Sequence, residues 1–109
     1  MNNNIDFKLV EVFNDSYHIK LKVADRYFYD VKKMLYEDLY DENKKSNVHA
    51  IYILPKKYPQ LDQDLINIVT KEAMFIEDYL FKCRTNGFTV DEKFVKNCIE
   101  KISDFKRII

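Results

Sequence analysis

The single glycine of the chain, Gly87, lies between two long stretches of helix-periodic apolar residues and constrains the fold more than any other position. Glycine reaches the left-handed conformation that closes a helix without steric penalty. Asn86-Gly87 therefore predicts a helix end. Thr89-Val90-Asp91-Glu92 then predicts a new start through a capping box, with the Thr89 hydroxyl accepting from the Glu92 N–H and the Glu92 carboxylate reaching back to the N–H of Thr89. The C-terminal half reads as an antiparallel helical hairpin with helices over 62–86 and 90–108. Leu65, Ile68, Val69, Ala73, Ile76, Leu80 and Cys83 form the main stripe of the first, and Ile66, Phe75 and Phe81 widen it beyond what one neighbour covers. In the second, Phe94, Cys98, Ile102, Phe105 and Ile109 share a side.

A hairpin of this kind offers a direct check on the two cysteines, Cys83 and Cys98. Measured from the turn, their axial offset is about 9 Å at ~1.5 Å per residue. That exceeds the ~7 Å span of a disulfide, so both are expected as free buried thiols of a reducing compartment.

The N-terminal half carries a different period. Ile5, Phe7, Leu9 and Phe13 share one parity, and Tyr17, Ile19, Leu21 and Val23 alternate with His18, Lys20, Lys22 and Ala24, as in half-buried strands. Asn14-Asp15-Ser16 has turn chemistry. A three-residue loop there pairs Phe13 with Tyr17, Leu9 with Leu21 and Phe7 with Val23, which keeps both apolar sets on one face. Residues 1–4 are read as a frayed terminus and 5–24 as a β-hairpin. Asp25 then caps a helix over 25–42, with Phe28, Val31, Leu35 and Leu39 at helical spacing, although the aromatics of 26–31 also allow a third strand. A polar loop, Asn43-Lys44-Lys45-Ser46-Asn47, leads to an apolar run at 48–54 that suits an interior strand, ended by Pro55 and Pro59.

Together these elements predict a single α+β domain. It has a small antiparallel sheet, made of the N-terminal β-hairpin plus strand 48–54, with one helix and the helical hairpin packed on one sheet face. With 109 residues the chain can close a core without disulfides or metal. No segment resembles a secretory signal or a membrane span, so a cytoplasmic location with no membrane partner is expected.

Function is far less constrained. His18 and His49 are the only histidines, with no cysteine or carboxylate partner at ligand spacing, so neither a metal nor another cofactor is expected. No serine lies in a nucleophile elbow, one glycine cannot build a phosphate-cradling loop, and an enzyme is not expected. Eighteen basic and eighteen acidic side chains cancel, leaving only local patches. The clearest is Tyr36, Glu37, Asp38, Tyr40, Asp41 and Glu42, where carboxylates at a helix C-terminus oppose the helix dipole and so point to docking rather than helix stability. The resulting expectation is a non-enzymatic module that binds a larger protein. An inhibitor or immunity-type protein, a host-defence antagonist from a phage or mobile element, is its concrete form. The alternative is a nucleic-acid-binding regulator that lays Lys8, His18, Lys20 and Lys22 of the hairpin on phosphates, with Lys44-Lys45 and Lys56-Lys57 beside them. The plainer reading of those lysines is a solvated sheet face. A homo-oligomer through helix 62–86 would cover its second apolar side.

Overall fold

Helix is the only regular structure in the computed structural model, which describes residues 2–41, 43 and 48–108. Four α-helices follow in order: α1 (Asn2–Tyr40), α2 (Val48–Ile53), α3 (Gln63–Asn86) and α4 (Glu92–Glu100). A 3₁₀ turn, Leu54–Lys57, continues α2, and a 3₁₀ segment, Lys101–Ile108, continues α4. The expected α+β fold is thereby overturned, because the described residues contain no strand.

The β-hairpin over 5–24 does not exist. Its residues belong to α1, which runs unbroken from Asn2, where a frayed terminus was expected, through Asn14-Asp15-Ser16 and past Asp25. Three physical reasons favour the helix. No glycine or proline interrupts the chain before Pro55, so nothing obliges it to reverse. Asn, Asp and Ser cost a helix only a few tenths of a kcal/mol each relative to its best formers. A two-stranded hairpin needs a further strand to be stable, and the segment meant to supply it is α2. The alternation at 17–23 is thus a coincidence of short range. Tyr17 and Ile19, which a sheet would turn inward, are 52% and 56% exposed.

The strand expected over 48–54 is the short helix α2 and the start of the 3₁₀ turn. Among the described side chains of that run only Ile51 is buried, while Tyr52 and Ile53 face solvent. Pro55 lies in the first turn of the 3₁₀ segment, where its missing N–H costs nothing.

The core lies between α1 and the C-terminal helices. From α1 come Ala24, Tyr27, Phe28, Val31, Leu35 and Leu39, and from α3 come Leu65, Val69, Ala73, Ile76 and Leu80. Val95, Cys98, Ile99 and Ile102 close it. Ala24 is the first buried residue among the side chains described, so the start of α1 runs past the bundle, in a molecule of 71 × 25 × 19 Å. Lys106 ties the last segment to α1 through Asp25 at 2.8 Å.

At the turn after α3, Gly87 is left-handed with φ of 74° and ends the helix. Its N–H and that of Phe88 both donate to Cys83 O, which satisfies an end carbonyl of the helix. The cap of α4 is not Thr89, and the capping box is not formed. Asp91 is the N-cap, its Oδ1 accepting from Phe94 N–H at 3.1 Å, and its own N–H donates to the Tyr79 hydroxyl at 3.0 Å. Cys83 and Cys98 are free and buried. Burial first, and the charge of Glu72 second, push the Cys98 thiol up, away from the reactive thiolate.

Arg84 joins the two ends. Its Nη2 donates to Asp38 O at 2.7 Å and to Leu39 O at 3.1 Å, capping the final turn of α1 from α3. Replacing it, in Arg84→Met, is expected to cost about 2–4 kcal/mol in urea unfolding, since two carbonyls lose a charged donor. Gly87→Ala is expected to cost about 1 kcal/mol, for the left-handed backbone alone, because an added Cβ meets nothing within 4 Å.

Candidate protein-docking surface

One face of α1 carries tyrosines at positions i, i+7 and i+11, the spacing that stacks side chains along a helix. Tyr29, Tyr36 and Tyr40 occupy it, with Lys33 between the first two. Together with Lys32, Glu37 and Glu100 of α4 they line an open groove of about 570 Å³. Tyr29 and Tyr40 are 66% and 59% exposed.

The groove is held by the side chains of α4. Glu100 accepts the Tyr36 hydroxyl on Oε1 at 2.5 Å and the Lys32 ammonium on Oε2 at 3.2 Å, so one carboxylate fixes two residues of α1. Tyr36 and Tyr40 stack with planes 9° apart and centroids at 6.2 Å. Lys96 completes the row, its Nζ 5.5 Å from the centre of the Tyr40 ring, within cation–π range, and 3.0 Å from Glu92. Aromatic rings held on both sides enter a complex with little rotamer freedom left to lose.

The ionisation of these groups reflects the same contacts. Tyr36 is pushed up to about 12, by burial first and then by its bond to Glu100. The Tyr36 hydroxyl, followed by Lys32, holds the Glu100 carboxyl below its usual range. Lys96 is raised by Tyr40 and then Glu92. On the far side of α1, Tyr58 donates to Asp30, and that bond foremost lifts its phenol to about 12.

The structure divides the expected acidic patch. Tyr36, Glu37 and Tyr40 come together in the groove, and Asp41 is exposed beside it, its Oδ1 accepting from Asn43 N–H at 3.1 Å. Asp38, expected on the wet side, is buried at 2% exposure. Glu42 lies outside the described residues. The described part of the patch thus keeps two exposed carboxylates, Glu37 and Asp41, beside its tyrosines. Lys96 and Glu100 were missed by the sequence reading, although Glu92, Lys96 and Glu100 recur every fourth residue, as a charged helix face does.

The lysine face of the hairpin is not formed either. His18, Lys20 and Lys22 are exposed on α1, where His18 and Lys22 are one turn apart and Lys20 falls on the opposite side. Lys8 lies on the same helix with its side chain outside the described part, so it does not face Lys22 across a hairpin, and Lys44-Lys45 lie outside the described residues. His49, expected inside a strand, is exposed on α2. Among the described residues no three His, Cys, Asp or Glu side chains gather in a way that could hold a metal ion, and no helix is long and apolar enough to cross a membrane. Comparison of the chain with known protein families, curated proteins and solved structures finds no match.

Between pH 10 and 12 the folded chain keeps a Tyr36 proton that the unfolded chain has lost, so this contribution to stability falls as pH rises through that window. Glu100 acts in the opposite sense, its contribution being lost as pH falls below the carboxylate range. In an NMR titration of the tyrosine rings, Glu100→Gln is expected to move Tyr36 ionisation to lower pH by roughly one unit. An unchanged midpoint would remove Glu100 as its partner.

Proposed function

We propose that this chain is a small, non-enzymatic protein-binding module that seats a larger protein on the tyrosine face of α1 and α4, as an inhibitor or immunity-type protein does. The observation that carries the reading is the row of exposed Tyr29, half-buried Tyr36 and exposed Tyr40, in which Tyr36 and Tyr40 stack on each other and are held by Glu100 and Lys96 respectively. Tyrosine and arginine dominate the residues that carry binding energy in protein interfaces, because a ring with two rotatable bonds offers large contact area at small entropic cost. Lys33, Glu37 and Asp41 border the row and supply the mixed-charge rim that sets partner register.

The test compares variants rather than capture alone. Tagged wild-type chain, a Tyr29→Ala/Tyr40→Ala variant and a Glu37→Lys/Asp41→Lys variant are used to isolate partners, and affinity for the recovered protein is then measured by calorimetry. The double alanine variant is expected to bind at least ~30-fold more weakly, a loss of about 2 kcal/mol, with an unchanged circular dichroism spectrum because both side chains are exposed. Equal affinity in all three proteins would overturn the reading. Salt-sensitive DNA binding that ignores the tyrosines and disappears in Lys20→Ala/Lys22→Ala would replace it with the nucleic-acid alternative.

A further inference from the structure

A second groove, of about 440 Å³, opens between α3 and the segment that runs from α2 through the 3₁₀ turn. Tyr52, Lys56 and Tyr58 line it on one side, and Gln63, Ile66 and Asn67 of α3 on the other. It shares none of its described lining residues with the tyrosine groove of α1 and α4. Both walls are held. The Tyr58 hydroxyl donates to Asp30, and its ring packs against Tyr27 at 5.7 Å between centroids. Gln63 Nε2 donates to Asn67 Oδ1 at 2.9 Å, so two amides one helical turn apart fix each other. That bond leaves Gln63 Oε1 to accept and Asn67 Nδ2 to donate. Tyr52 is 58% exposed, which leaves its ring open to a flat ligand.

We propose that this groove is a nucleotide site, taking an adenine nucleotide either free or within a single strand. The base stacks on Tyr52, its edge meets the Gln63 and Asn67 amides, and Lys56 meets the phosphate. On the adenine edge the N6 amine donates and N7 accepts, so both amides find a partner. The corresponding guanine edge has two acceptors and leaves Gln63 Oε1 without one. The groove volume falls within the ~300–1,000 Å³ of small-ligand sites.

The charges narrow the ligand further. Lys56 is the one cation among the described lining residues, and Asp62 and Asp64 flank Gln63 at the start of α3. One phosphate group is served by that lysine, whereas the added charges of a triphosphate meet the two carboxylates. A glycine-rich phosphate loop, which a chain with one glycine cannot build, is not required, because stacking on an aromatic ring holds the base itself.

Calorimetric titration of the full chain with AMP reads the site, with adenosine, GMP, ATP and a single-stranded oligoadenylate in parallel. AMP is expected to bind at about 10–100 µM, and GMP about tenfold more weakly. Adenosine and ATP are both expected to bind more weakly than AMP. An oligoadenylate tighter than AMP assigns the site to single strands, and one no tighter assigns it to the free nucleotide. Tyr52→Ala is expected to weaken AMP binding at least ~tenfold. Lys56→Ala is expected to bring AMP down to the affinity of adenosine and to leave adenosine unchanged, a split that loss of folding cannot imitate. AMP that gives no binding at about 1 mM overturns the proposal. So does AMP binding that is indifferent to Tyr52→Ala, or that is lost instead in Tyr29→Ala/Tyr40→Ala.

Discussion

The end of α1 depends on a side chain that α1 does not contain. Its last turn has no basic residue and carries Glu37 and Asp38, so its own charges work against the helix dipole. Arg84 of α3 supplies the missing cation and donates to both Asp38 O and Leu39 O. The same residue lies three positions before Gly87, where the left-handed backbone turns the chain towards α4. The guanidinium thus locks the C-terminal ends of α1 and α3 together, and the Gly87 turn starts α4 beside both. The contacts that α4 makes with the tyrosine row follow from that placement, because Lys96 and Glu100 reach α1 only if α4 begins at the correct end of it.

The buried stripe of α3 was legible because its apolar spacing is long, strongly helical and bounded by the one glycine. The N-terminal half was not, for a reason specific to its residues. Between Tyr17 and Val23 every second residue is apolar, and a window that short cannot separate a strand from a helix whose outer face is also apolar. The competing evidence lay further along, in Ala24, Phe28, Val31, Leu35 and Leu39, whose helical spacing continues back through Leu21 and Tyr17 without a breaker. That continuity is the pattern of one helix. The run at 48–54 failed differently, since β-branched content marks a strand only when a sheet is present to receive it.

The end of the chain held a signal of another kind. Ile99, Ile102, Phe105 and Ile108 recur every third residue, and all four pack on or into the core. A helix of 3.6 residues per turn would carry such a series gradually off its face, whereas a 3₁₀ helix has three residues per turn and stacks positions i and i+3 on one line. The observed change from α4 to the 3₁₀ segment keeps those side chains inward. Of the candidate site, Tyr36 and Tyr40 were readable as neighbours near a helix end, with Tyr40 exposed and Tyr36 half-buried. The inward turn of Asp38 and the contributions of Lys96 and Glu100 depend on which helix faces which, a relation no local pattern encodes.

α4 is only nine residues long and has a polar and an aromatic side. Lys96 and Glu100 look towards α1, while Phe94 looks towards Phe75 and Tyr79. So short a helix is unstable alone and owes its position to those contacts, to Val95 and Ile99 in the core, and to the Asp91 cap. A load on one side must therefore be carried by the same few anchors that set the other.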